Sequence, residues 1–243
     1  MEYYDTFDEN GVFQSSEDEF DVHYKGLWHK VVRVWLYDNE GNIYLRVRKQ
    51  DNKLDCINQM HLQSQESISS CFDRAMFDKL GIHFPATSNF EQASIRKVKI
   101  HKVYSDNSEL RDNYFLCDYV GEFDKSSNFF IFNNDTAGLV KINAKGLLSM
   151  INTRTGEVLG YNVSLNTSGD EKHLIKIEDI YEEPNEDTYM KYNFVVNTIS
   201  KIAHKFNKEQ RENKKMKKLI EKQNDNEETF MSHADDNEGD EIW

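Results

Sequence analysis

The stretch ESISSCFDRAMFDKLGI, Glu66 to Ile82, decides how the chain is read. Phe72, Met76 and Leu80 stand four residues apart and Ala75 joins their face, which is helical spacing. Ser67 or Ser69 can cap the first turn, and Gly81 can adopt the left-handed conformation that ends a helix. A helix of about three turns is expected, with Phe72, Met76 and Leu80 in the core.

Upstream, HKVVRVWLYDNEGNIYLRVRKQ alternates through Val32, Val34 and Leu36, breaks at Asp38-Asn39-Glu40-Gly41-Asn42, and resumes with Ile43, Leu45 and Val47. That period of two around a turn predicts a hairpin. Downstream, strands are expected at Ile95 to Tyr104 and Tyr114 to Tyr119, and a short strand leads into a helix near Lys145 to Ile151. The polar, turn-rich segment from Asn152 reads as the edge of the domain. Strands around a few helices in this order predict an α+β fold, a mixed sheet sandwiched between helices.

After Pro184 a stripe of Tyr192, Val195, Val196, Ile199, Ile202, Ala203 and Phe206 predicts an amphipathic helix. It either packs on its own domain or serves a protein partner. KFNKEQRENKKMKK reads as a solvated basic face, and the acidic segment from about residue 223 is too polar to fold alone. The expected organisation is a domain over residues 1–165, a helical extension over 166–222 and an acidic disordered tail over 223–243.

A net charge of −13 argues against a nucleic-acid partner, since phosphate neutralisation needs clustered Lys and Arg. No run of about 18 apolar residues is present, so no membrane partner is expected. The acidic start MEYYDTFDENG is unlike a signal peptide, and a cytoplasmic location is expected. Cys56, Cys71 and Cys117 are odd in number and widely spaced, which indicates neither a disulfide framework nor a zinc knuckle.

The loop and helix from Met60 to Ile82 resemble the Nudix box: Gly, five residues, Glu, seven residues, then Arg-Glu-apolar-x-Glu-Glu-x-Gly-apolar. The spacing is intact through Met60, Glu66, Arg74 and the pair Gly81-Ile82. HYKGLWHKVVRVWLYDNEGNIYLRVR, KLDCINQMH and DTAGLVKINAKGLLSMI are similar to segments of the branch related to isopentenyl-diphosphate isomerase. The resemblance spans roughly residues 1–151 and implies a Nudix-type α/β/α sandwich holding divalent metal against a diphosphate.

Departures lie in the chemistry. Met60 stands at the box Gly, Ala75 at the first helical Glu, Asp78 at the second and Lys79 at the third, and Gln59 stands where the isomerases carry their reactive Cys. Mg²⁺ takes hard oxygen ligands, and the ammonium of Lys79 at a former ligand position repels it. The resemblance therefore implies weak or absent metal-dependent hydrolysis, with Mg²⁺ as cofactor only if activity is retained, and a small phosphorylated metabolite or a protein as ligand. It assigns Glu66, Arg74 and Asp78 to the remnant catalytic box, Glu66 and Arg74 either as a pair bracing loop against helix or in direct catalysis and Asp78 also to metal, and it assigns Lys79 and His61 to ligand binding; the isomerases use the His61 position as a metal ligand. An active hydrolase would have to rebuild its site from Asp78 and carboxylates outside the box, with Glu109 or Asp106 as candidates.

Overall fold

The computed structural model describes residues 2–83, 90–105, 109–123, 131–133, 135–163, 171–182 and 186–234, with side chains as far as residue 218. The elements run β1 (Tyr3–Phe7), β2 (Phe13–Asp18), α1 (Glu19–Lys25), β3 (His29–Tyr37), β4 (Asn42–Arg48), β5 (Leu54–Asp55), β6 (Asn58–His61), α2 (Ile68–Leu80) and β7 (Phe90–Val103). They continue with β8 (Glu109–Glu122), β9 (Thr136–Asn143), α3 (Ala144–Thr153), β10 (Glu157–Asn162), β11 (Glu171–Lys176) and α4 (Glu186–Ala234). The main sheet has the order β11-β10-β9-β4-β3-β8-β7, with β5 added to β4 and β6 to β3. β3 and β8 run parallel and the other pairs antiparallel, so the sheet is mixed as expected.

β3 is apolar at consecutive positions because helices cover both faces of the sheet. On one face Val32, Val34 and Leu36 pack with Phe72, Ala75, Met76 and Leu80 of α2. On the other, Trp35 meets Tyr192 of α4 edge to face at 5.2 Å. α3 lies on that second face too, where a Cβ on Gly146 would come within 2.9 Å of Val158. The β3–β4 turn is held by Asp38 Oδ1, which accepts from the N–H groups of Glu40 and Asn42.

α2 begins and ends where its sequence predicts. Ser67 Oγ accepts from Ser70 N at 3.1 Å, and Gly81 has φ +64°, with its N–H donating to Phe77 O. The strands β7 and β8 are longer than their apolar cores indicate, because cross-strand pairing carries their polar ends along.

Two expectations change, and the stripe takes the first of its two alternatives. The segment expected to open a helical extension at residue 166 instead contributes β11, paired residue for residue with β10, and residues 1–200 form one compact unit. The stripe of α4 is spent inside that unit: Tyr192, Val195, Val196 and Ile199 are buried. The backbone of α4 stays helical through Ala234, past the start expected for a disordered tail. Its Glu, Lys, Gln and Met residues are good helix formers, so an established helix propagates through them. Residues 207–218 of the second unit, 201–243, are exposed, which suits the solvated basic face.

Candidate metal centre

Two regions hold the chemistry-bearing residues, and only one corresponds to the box. In the first, Arg74 donates to Glu66 through Nε (2.9 Å) and Nη2 (2.7 Å), and Nη2 also reaches the carbonyl of His61 at 2.9 Å. Glu66 Oε2 accepts from Gln63 N as well. Burial pushes the Glu66 carboxyl up, but the Arg74 and Gln63 hydrogen bonds outweigh it and hold it below its usual range. These two residues fasten the loop to α2.

The metal end of the box holds a cation of the chain's own. Ala75 is fully buried in the core, so its position faces no cleft. Lys79 Nζ lies 2.9 Å from Asp78 Oδ2 and 2.7 Å from Asp135 Oδ2, and its side chain is only 14% exposed. Asp78 also accepts from Asn58 Nδ2 at 3.2 Å, and Asn133 donates to its backbone carbonyl. Burial opposes ionisation of Asp135, yet Lys79 and Arg46 hold its carboxyl below its usual range. Lys79 was expected to meet a ligand; it meets two carboxylates of its own chain, because an ammonium between them forms two charge-assisted hydrogen bonds.

Asp135 was not singled out from the sequence, and Glu109, which was, sits exposed beside Arg111 and His101. Asp106 lies outside the described residues. Gln59 is exposed, and the three cysteines are buried, their thiols pushed up by burial, to about 12 for Cys71 and about 11 for Cys117. None has the lowered pKa of a nucleophile.

A first prediction concerns this clasp. Lys79→Gln removes the ammonium and leaves Asp78 and Asp135 facing each other, so the variant should gain a Mg²⁺ site of about millimolar affinity that the wild type lacks. Isothermal titration reads it; a variant as indifferent to Mg²⁺ as the wild type would mean that the two carboxylates do not converge on one ion.

The second region is built around His61. His23, His29, His61 and Asp112 place one ligand atom each within 4.8 Å of all the others. They come from α1, the start of β3, the end of β6 and β8, so only the folded chain assembles them. Gly26 is the joint: with φ +65° it ends α1, its N–H donating to Val22 O, and turns the chain toward β3 so that His23 and His29 face each other. A Cβ there would come within 2.9 Å of Arg111 Cβ, and Asn113 Nδ2 donates to Gly26 O at 2.7 Å. β8 is thereby held against the turn, which brings in Asp112.

The electrostatics are specific. His29 is fully buried, and its Nδ1 lies 3.1 Å from the carbonyl of Leu27, an acceptor, so Nδ1 carries the proton. The lone pair of the neutral ring is then on Nε2, which points at Asp112 Oδ1, 3.6 Å away. His23 Nδ1 stands 3.4 Å from the same oxygen. His23 Nδ1, His29 Nε2 and Asp112 Oδ1 are all buried without a hydrogen-bond partner. Burial pushes His61 down to about 4, helped by its two histidine neighbours, and pushes His29 down as well, so both rings are neutral and able to ligate near pH 7. Asp112 raises His23 despite burial.

Four ligands ~2.1 Å from a tetrahedral metal lie ~3.4 Å apart, so modest side-chain movement closes this cluster around an ion. Sequence reading reached only His61. His23 and His29 flank Gly26-Leu27-Trp28 in a segment quoted for its resemblance, but a six-residue spacing across a helix, a turn and a strand carries no metal signature.

No protein-family model matches the chain, and no curated protein matches it. Among solved structures it is similar to DR0079 from Deinococcus radiodurans, at 20% identity over 63% of this chain and 89% of that one, with a TM-score of 0.43. It is similar also to a MutT protein from Methanosarcina mazei Go1, at 12% identity over 51% and 82% of the two chains, TM-score 0.37. A third is the E. coli dihydroneopterin triphosphate pyrophosphohydrolase, at 11% identity over 49% and 83%, TM-score 0.35. These likenesses are too distant to assign a family or an activity.

Proposed function

We propose that the chain is a Nudix-fold protein whose metal chemistry resides at His23, His29, His61 and Asp112 and not at the box. The Nudix reading is supported by the intact box spacing and by the Glu66–Arg74 brace that this spacing exists to make. The metal reading is carried by one observation: His29 Nε2 and Asp112 Oδ1 are two acceptors facing each other in a buried place, 3.6 Å apart, and the one group near enough to donate to Asp112 Oδ1 among the described residues is His23 Nδ1, at 3.4 Å. Burying unpaired acceptors costs stability. A cation between them removes that cost for His23, His29 and Asp112 together.

Three imidazoles and one carboxylate suit a transition metal such as Zn²⁺ or Fe²⁺ and are the wrong donors for Mg²⁺. With all four ligands engaged the shell would be filled, so a bound metal would supply a structural cross-link among α1, β3, β6 and β8, and Lewis acidity only where one ligand gives way. The chain's own part is to present the neutral rings of His29 and His61, with the Nδ1–H of His29 anchored on Leu27 O to fix its orientation. The box, with Ala75 in the core and Lys79 between Asp78 and Asp135, contributes bracing and no hydrolysis.

Competition against a chromogenic chelator tests the proposal on the full chain after stripping. One equivalent of Zn²⁺ bound at about micromolar affinity or tighter is expected, and affinity no better than millimolar would defeat it. A second reading, an active Mg²⁺-dependent diphosphohydrolase, is favoured by one observation only, the approach of Asp78 and Asp135 to a common cation. It requires Lys79 to swing away, and Mg²⁺-dependent turnover by the wild type would select it.

A further inference from the structure

A cavity of about 700 Å³ lies on the α4 face of the sheet, among β7, β8 and the first turns of α4. Arg33, Arg96, Lys97, Lys99 and Lys191 bring positive charge to it, and Val98 and Leu116 give it an apolar floor. Three of the five cations are paired with carboxylates, Lys99 with Glu9 at 3.0 Å, and Lys97 is exposed. Arg33 is bound twice by Asp118, at 2.6 and 3.2 Å, and Lys191 closes on Glu182.

Arg96 is different. It reaches Asp118 only through Nη2 at 3.4 Å, and Asp118 already accepts from Arg33, from Trp35 Nε1 at 2.9 Å and from Ser94 Oγ at 2.6 Å. A carboxylate offers about four lone-pair sites, so nothing remains there for a well-made bond to Arg96. Its Nε is buried and has no hydrogen-bond partner. A guanidinium with a spare buried donor beside an open cavity matches an acceptor that carries negative charge. The one other carboxylate lining the cavity, Asp187, is exposed in the first turn of α4, where solvent screens it.

We propose that this cavity binds a small organic anion, its carboxylate or phosphate group accepted by Arg96 and its apolar part laid on Val98 and Leu116. The site is separate from the histidine cluster and does not depend on the metal reading. Three matched probes test it on the full chain in excess chelator, which removes the metal centre from the result: phenyl phosphate, benzoate and neutral benzyl alcohol, followed by calorimetry. At least one of the two anions should bind with a Kd of about 1 mM or tighter, and benzyl alcohol should bind more weakly. Whichever anion binds better names the group, phosphate or carboxylate. Arg96→Gln should weaken that anion roughly tenfold or more while leaving benzyl alcohol unchanged. Val98→Trp, which fills the cavity without touching the Asp118 network, should abolish binding while the cooperative melt is kept. Failure of both anions to bind the wild type, or binding that survives both substitutions, overturns the proposal.

Discussion

His61→Ala is expected to weaken Zn²⁺ binding by about 100-fold or more, since loss of an outer-shell partner alone costs 10–100-fold and His61 would be a ligand itself. His29→Gln should do the same. It removes both the Nε2 lone pair that faces Asp112 and the Nδ1–H that fixes the ring on Leu27 O. Asp78→Asn should leave Zn²⁺ affinity unchanged, because Asp78 belongs to the box clasp with Lys79 and shares no residue with the cluster. Chelator competition on the three variants separates the two regions. Equal losses in all three, or none in any, would contradict the division between a structural box and a histidine centre.

Ending the chain at residue 185 should abolish cooperative folding. Tyr192, Val195, Val196 and Ile199 are almost wholly buried, and at roughly 1.5–3 kcal/mol for each large apolar side chain their loss approaches the 5–15 kcal/mol by which a whole domain is stable. The truncation also uncovers Trp35, whose ring packs against Tyr192, and removes Lys191 from Glu182. A chain ending after Phe206 keeps that stripe and should melt cooperatively, because residues 207–218 are exposed. Thermal melts of the two proteins decide it. A folded, soluble chain ending at 185 would mean that the stripe is not needed by the unit that contains it.

Local chemistry explains what could be read in advance. The limits of α2 were legible because Ser67 and Gly81 act within one turn of the helix they bound. The β3–β4 hairpin was legible because Asp38 and Gly41 make the turn themselves. The brace of Glu66 on Arg74 was implied by the resemblance to the Nudix box and by nothing else in the sequence. β11 was not legible: of Glu171–Lys176 only Ile175 is buried, so the strand is held by backbone pairing with β10 and leaves little apolar pattern. The N-terminal hairpin of β1 and β2 went unread for a similar reason, its inner face being little more than Tyr4 and Thr6.

The site divides in the same way. Lys79 could be recognised as a misplaced cation, but its partner Asp135 lies 56 residues away and is brought to it only by the fold. His23, His29 and Asp112 have no mutual signal along the chain, because the contact that joins them is the close approach of β8 to Gly26. That approach is a tertiary fact.

X-ray absorption at the zinc edge of the zinc-loaded full chain tests the central claim most directly. The account predicts a first shell of three imidazole nitrogens at about 2.0–2.1 Å, with the multiple scattering of imidazole rings, and an oxygen from Asp112. A shell made only of oxygen would place the metal at the carboxylates of the box and contradict it.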